Sequence, residues 1–513
     1  MPFDTERLTH MSWSFGMFVV LICLLILLAC LAVKLLFKRR LRLKVVRERR
    51  AGGSRTLIVR TPVTTIVEAQ RSADATGLPR ALMGTSGPSP VILVILGLVG
   101  WLFWRVLVSW QHVLDRWAVW TFDVIFLLVA AQLVLACFEG RVAGDEDFRV
   151  AVLVPLYNED PDVVVRMLSA LLHQSFPPAE IHVVDDGSTQ STYLEQRDWF
   201  ICQAAVAGIY ATWQRTSNEG KRHAQVHGFR KIRDADLFVT VDSDSMLDAE
   251  ALHEIVQPFS DPRVMSVAGI ILAINNRENL LARVTDVIFV GQQLIDRSSM
   301  SQLGSVMVDS GGLAAYRCRI LAENIDLYMN ESYLGRHVEF SDDSMLTLFA
   351  LLNGRTVQQP SAFAFAWTPD RWSHHYRQQV RWFRGSFIRG LWRIRFLPIL
   401  SWGWWRQATG WMQIWTVSAV FVYLVLWRPL ATGGSVPLAV VLVPLTIGLA
   451  QNSRYLNVWR SDTTDSQRRA TLILSPVATL WSAVILRPLR FWGVVTSGKM
   501  GWNTRQQVEV TSQ

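Results

Sequence analysis

Six short stretches of this chain carry residue types that could do chemistry. In VDSDS (241–245), Asp242 and Asp244 flank one small residue after an apolar run, so both carboxylates can reach one ligand. Two hard oxygen donors of this kind, with diphosphate oxygens completing the shell, suit Mg2+ or Mn2+. An Asx turn or a helix N-cap would use the same residues. VVDDGST ends another apolar run with Asp185 and Asp186, where a carboxylate can accept hydrogen bonds from a base or ribose. VPLYNED supplies Tyr157, whose ring could stack on a base or simply pack. NEGKRHA sets Lys221 and Arg222 at a helix start, able to meet phosphate charge, although a solvated helix face has the same pattern. EFSDDSMLT places Asp342 and Asp343 before an apolar helix. Capping accounts for one of those carboxylates; a second beside a sugar site points to a general base. In HHYRQQVRWFRGSFIRG (374–390), Gln378, Arg381 and Trp382 lie on successive turns of one helix, combining polar groups with a flat ring for a sugar. The arginines beyond them, Arg384, Arg389, Arg393 and Arg395, read as an interfacial helix reaching for lipid phosphates.

Positioning these residues requires a sheet. From residue 147, apolar runs ending at Tyr157, Asp185 and Asp242 alternate with helical patterns over 162–174 and 219–232. That alternation predicts an α/β domain with a mainly parallel sheet, and the polar residues fall at the carboxyl ends of the strands, where such sheets bind ligands. Acidic and basic residues at three strand ends together describe a nucleotide-diphosphate pocket.

The rest of the chain reads as membrane. Half of the 513 residues are hydrophobic and 22 are Trp, a residue that concentrates at membrane–water interfaces. Residues 11–37 are long and apolar enough to span a bilayer, and the Lys/Arg-rich block 38–50 behind them belongs on the cytoplasmic side. Residues 1–50 are therefore a first span with its basic block, 51–90 a loosely ordered linker rich in Gly, Ser, Thr, Ala and Pro, and 91–139 two further spans. A cytoplasmic catalytic domain covers 147–375 and interfacial helices 376–408. Two more spans cover 409–451. Residues 452–513 form a cytoplasmic loop followed by an interfacial or re-entrant helix, broken at Pro476 and Pro488. The net charge of +9 follows the membrane pattern, which argues against nucleic acid as the partner. The five cysteines show no metal-type or paired spacing and read as reduced.

Taken in order, VPLYNE, VVDDGS, GKR, DSD, SGGLAAYR, SDDSMLT and QQVRW resemble the processive membrane glycosyltransferases of family 2. Within that class TSGKMGWNTR (496–505) is similar to the gating-loop motif of hyaluronan synthases and their chitin-synthesising relatives. The resemblance implies a GT-A nucleotide-sugar transferase domain embedded in an α-helical transmembrane and interfacial-helix region. It implies Asp343 as catalytic base and Asp242 and Asp244 as metal ligands. Tyr157, Asp185, Asp186, Lys221 and Asp242, with Gln378, Arg381 and Trp382, would bind the nucleotide-sugar. Trp382, Gly311 and Gly312 would face the acceptor, and Trp502, Thr504 and Arg505 would form the gating loop. Position 503 is Asn where the family has Gly, SDD stands for Gly-Asp-Asp, and SGGL for Ser-Gly-Pro-Leu. The implied activity is an inverting synthase at the cell membrane, multi-pass, with its catalytic domain in the cytoplasm. It would use UDP-sugar donors, a growing polysaccharide acceptor and Mg2+ or Mn2+, with hyaluronan as the expected product and a β-1,4-GlcNAc polymer as the alternative. A non-catalytic export component is the reading from another class, and the intact acidic motifs argue against it.

Overall fold

The computed structural model describes residues 57–59, 65–84, 116–144, 147–433 and 447–500. Three short strands come first: β1 (Leu57–Val59), β2 (Ala81–Met83) and β3 (Arg141–Ala143). The catalytic region begins with β4 (Val150–Leu156), whose seven residues are all buried, as expected of a strand covered on both faces. β5 (Glu180–Asp185), β6 (Tyr210–Arg215) and β7 (Leu237–Thr240) follow, then β8 (Ser245–Leu247), β9 (Val264–Ala273) and β10 (Ala314–Arg317). A small hairpin, β11 (Ser332–Tyr333) and β12 (Arg336–His337), precedes the long β13 (Arg355–Ala366).

Eight of these strands form one sheet in the order β6-β5-β4-β7-β10-β9-β13-β8. β4 to β7 pair in parallel, whereas β10 runs antiparallel to both β7 and β9, and β8 runs antiparallel to β13. The sheet is therefore mixed, its parallel half being the part the alternating pattern predicts. The chain winds outward from β4 through β5 to β6, then crosses back to place β7 on the other side of β4. That reversal opens a crevice at the carboxyl ends of β4 and β7, the usual ligand position in such sheets. Helix Pro161–Leu172 shows why the layers hold: Val163, Val164, Met167, Leu168 and Leu171 share one buried face, and Asp160 caps its start by accepting from Asp162 N.

The expectation of a loose linker over 51–90 is overturned for the described part. Thr65 and Glu68 form a capping box for helix Ile66–Thr76, Arg80 makes a buried ion pair of 2.9 Å with Asp248, and β2 pairs with β14 (Val458–Arg460). A turn-rich composition conceals this order because the partners lie far away in the chain.

Of the expected spans, 11–37 and 91–110 lie outside the described residues, as does most of 436–450. Residues 116–137 form a helix. Helical residues Trp402–Ala431 run for 30 residues and include an 18-residue stretch of mean hydropathy 1.6, long and apolar enough to cross a membrane. Helices Asp465–Ile473 and Ser475–Val495 meet at a bend of 41°; Pro476 and Pro488 each stand in the first turn of a helical segment, where a missing N–H costs nothing.

Candidate active site

The crevice at the switch in strand order is a cavity of about 530 Å3, within the size range of small-molecule sites. Tyr157 enters it from the end of β4, Asp186 from the end of β5, and Asp242 and Asp244 from the end of β7. Lys221, Gly311, Gly312 and Asp343 line the floor and one wall, and Gln378, Arg381 and Trp382 line the facing helix Trp372–Phe396. Trp502, Thr504 and Arg505 lie outside the described residues. Asp185 is the neighbour that turns away. It is fully buried and accepts from Ser188 N at 2.9 Å and Arg215 Nη1 at 2.9 Å, so its carboxylate braces the loop beneath the pocket. Asp186 accepts from Thr216 Oγ1 at 3.0 Å, Glu219 N at 2.8 Å and Gly220 N at 2.7 Å. It therefore shapes the loop that delivers Lys221.

Lys221 is the electrostatic centre. Its Nζ lies 2.7 Å from Asp242 Oδ1 and 3.1 Å from Asp342 Oδ2. Burial alone would push the ammonium down; Asp242, Asp342 and Asp343 outweigh it and hold it well above the usual lysine value. Asp342 and Asp343 are adjacent yet opposite in character. Burial would raise the Asp342 carboxyl, but Lys221 reverses this and holds it ionised, with Gln225 Nε2 donating at 3.1 Å. Asp343 receives one backbone hydrogen bond, from Ser344 N at 2.6 Å. Burial and the charge on Asp342 push it up to about 6. Two neighbouring carboxyls driven apart in this way mark one as a fixed charge and the other as a proton acceptor near neutral pH.

Asp242 and Asp244 both line the cavity, two residues apart, where a pair of carboxylates can meet a divalent cation. Among the described residues no cluster of three or more His, Cys, Asp or Glu side chains is arranged to hold one, so the shell would need phosphate oxygens and water. That fits Mg2+ or Mn2+, which bind through one or two carboxylates together with substrate phosphates. Gly311 leaves the space this requires: a Cβ there would stand 3.2 Å from both Asp242 oxygens and from Lys221 Nζ.

On the facing helix, Gln378 Oε1 is buried without a hydrogen-bond partner among the described residues, and Trp382 is 41% exposed with its ring centroid 5.3 Å from that of Phe289. An orphaned acceptor beside an open aromatic face is ready for a hydroxyl-bearing ring.

Several neighbours were not legible as site residues. Arg297, Arg393 and Arg490 also line the cavity. Arg490 comes from helix Arg487–Val495 and stacks 4.9 Å from the Phe383 ring centre, where Gly493 lets that helix meet Phe383 closely. The lipid-facing reading of Arg389 and Arg393 is overturned. Both are buried, Arg389 against Glu331 and Arg393 against the Met307 carbonyl. Arg222 likewise points away from the pocket, into the same Glu331.

Residues 148–385 match the family model described as Glycosyltransferase like family 2. Hyaluronan synthase of Streptococcus pyogenes is 29% identical over 388 residues, covering 73% of this chain and 87% of that one. An N-acetylglucosaminyltransferase of Azorhizobium caulinodans is 32% identical over 247 residues, 47% of this chain and 60% of that one. Among solved structures, the mannosyltransferase PcManGT from Pyrobaculum calidifontis in complex with GDP-Man and Mn2+ is 20% identical. It covers 71% of this chain and 96% of that one at a TM-score of 0.47, too loose a likeness to place a side chain.

Proposed function

From the premise that the chain carries a family-2 glycosyltransferase domain of the GT-A fold, we propose that it is an inverting, processive synthase of a β-linked polysaccharide. Its donors are UDP-sugars, and hyaluronan made from UDP-GlcNAc and UDP-GlcA is the product we favour. One observation carries the reading: Asp343, pushed up to about 6, shares a cavity with the Asp242–Lys221 pair on one side and Gln378, Arg381 and Trp382 on the other.

In this mechanism Asp343 takes the proton of an acceptor hydroxyl as that oxygen bonds to the donor's anomeric carbon. The bond from the same carbon to the UDP oxygen breaks, and UDP leaves with the electron pair. Attack opposite the leaving group turns an α-linked donor into a β-linked product. Asp343 receives the proton at a carboxylate oxygen, and the ionised Asp342 beside it stabilises the protonated form. Lys221 meets the growing charge on the diphosphate. A divalent cation held by Asp242 and Asp244 would supply further charge neutralisation at those oxygens. Trp382 offers its face to the acceptor ring, with Gln378 bonding a hydroxyl. Gly311 and Gly312 form the small-residue wall against which the acceptor lies, and Tyr157 supports the base.

We place the protein in the cell membrane as a multi-pass chain with the catalytic domain in the cytoplasm. Trp402–Ala431 supports one span; the bent pair ending at Val495 fits either a broken span or a re-entrant loop, and we favour the re-entrant loop because the gating role proposed for Trp502, Thr504 and Arg505 requires the nucleotide side. The N-acetylglucosaminyltransferase likeness favours a second product, a β-1,4-GlcNAc polymer or oligomer. Incubation with labelled UDP-sugars singly and in pairs, then digestion by polymer-specific hydrolases, decides between them. Polymer from UDP-GlcNAc alone excludes hyaluronan, and absence of UDP release from every donor excludes the synthase.

A further inference from the structure

Glu331 lies outside every motif that pointed to the site. It follows the short helix Ile325–Met329, at the root of the β11–β12 hairpin, and is 6% exposed. Its carboxylate collects four hydrogen bonds from three side chains. Arg222 Nη2 donates at 2.7 Å, Arg389 Nη1 and Nη2 donate to separate oxygens at 2.7 and 2.9 Å, and Trp392 Nε1 donates at 2.7 Å. Burial would raise this carboxyl, and the guanidiniums of Arg389 and Arg222 reverse that, holding it at about 2.

The two arginines have a second task. Arg222 Nη2 also donates to the Phe340 carbonyl at 2.8 Å and its Nη1 to the Tyr328 carbonyl at 3.1 Å; Arg389 Nη2 reaches the Ser341 carbonyl at 3.3 Å. Phe340 and Ser341 are the residues immediately before Asp342 and Asp343. Ser341 has a φ of +63°, a left-handed conformation that a residue with a Cβ adopts only when its surroundings impose it. Helix Trp372–Phe396 presses on the same point, since a Cβ at Gly385 would come within 2.8 Å of Ser341 Cβ. Arg222 is the residue after Lys221, and Arg389 lies two turns beyond Trp382. One carboxylate thus ties the diphosphate-facing helix, the acceptor-facing helix and the strained turn that presents the base.

We infer that Glu331 is a positioning residue for catalysis: by holding Arg222 and Arg389 it fixes the carbonyls of Phe340 and Ser341, and with them the placement of Asp343 between donor and acceptor. This rests on the assignment of Asp343 as base. Glu331 touches no substrate. Its loss acts through geometry, where a displacement of about 1 Å can cost on the order of a hundredfold in rate.

The test uses the full-length membrane protein, purified with lipid, with rates expressed per UDP-binding molecule. Glu331→Gln should lower kcat roughly tenfold to a hundredfold while the Kd for UDP stays within about twofold. The acidic limb of its kcat–pH profile should move below that of the wild type, because a loosened turn frees Asp343 from both burial and Asp342. Glu331→Asp should restore part of the rate and of the limb. Should Glu331→Gln fail to accumulate, Arg389→Lys removes the paired donation and Trp392→Phe a single hydrogen bond; the first should show the same limb shift and the second only a few-fold loss. An unchanged pH limb with an unchanged rate per UDP-binding molecule in the variants that fold overturns the inference. Asp343→Asn, run alongside, separates the two failures: if it still transfers sugar, the base assignment falls and Glu331 is not the cause.

Discussion

Replacing Asp343 by Asn removes one ionisable oxygen and little else, since an amide oxygen can still accept from Ser344 N at 2.6 Å. The consequence for rate and the consequence for stability then run in opposite directions. A carboxyl that ionises at about 6 instead of its ordinary 3.8 is charged at a cost of about 3 kcal/mol in the folded protein; water at the mouth of the cavity brings the recoverable part to about 1–3 kcal/mol. Below pH 4 the wild type holds the proton whether folded or not, and the two proteins should melt alike. As pH rises through 6 the wild type loses the stability that its protonated Asp343 had, whereas the Asn variant does not. The variant should therefore melt progressively higher than the wild type between pH 4 and 6, and by a constant margin above that. Its kcat should fall on the order of a hundredfold to ten-thousandfold, with UDP binding by calorimetry nearly intact. Melting curves at half-unit pH steps, with UDP release on the same samples, read both effects. Wild-type polymer output would end the base assignment. A melting difference that does not change between pH 4 and 7 would refute the account of why the carboxyl sits near 6.

Transfer should require Mg2+ or Mn2+, and Asp244→Ala should lose both metal dependence and turnover; full activity in excess chelator would rule out a metal-assisted leaving group. Gly311→Ala places a methyl 3.2 Å from Asp242 and Lys221, so metal titration should show half-activation at a several-fold higher concentration with the melting temperature unchanged, and an unaltered titration curve would show that the space over Asp242 is not used. A cysteine placed at Ser512 should resist membrane-impermeant labelling in intact cells, and ready labelling there would overturn both the re-entrant topology and the gating role of the tail.

The strand-end carboxylates were legible because a parallel strand announces itself as a short apolar run and delivers its next polar residues to the ligand edge. What the pattern could not supply was direction. Asp185 and Asp186 are equivalent in sequence, but successive strand residues face opposite ways, and Asp186 lines the cavity while Asp185 braces the loop below it. Lys221 and Arg222 divide in the same manner on a helix. Arg389 looked like a lipid-facing arginine because its partner Glu331 is 58 residues away, beyond any local pattern. Arg490 gave no signal at all, its place in the cavity depending on two helices meeting through Gly493 and Phe383. The far half of the sheet was equally silent, because β10 and β8 run antiparallel to their neighbours and break the strand–helix alternation, while β13 mixes Arg, Thr, Gln and Ser with its apolar residues and shows no clear period.

The pairing of β2 with β14 has a consequence for biosynthesis. Arg80 N donates to Ser461 Oγ across 381 residues of chain, so this corner of the protein cannot close until nearly the whole polypeptide exists. At roughly 5–20 residues per second the ribosome needs about 20–75 s to supply the missing strand. Asp248, the buried partner of Arg80, arrives sooner, after 168 residues, and can hold the segment in place during the wait. Throughout that interval Ala81–Met83 presents an unpaired edge, the kind of surface that invites mispairing with another chain. A nascent protein stalled or truncated between residues 367 and 457 would keep that edge open, with all eight strands of its catalytic sheet already made.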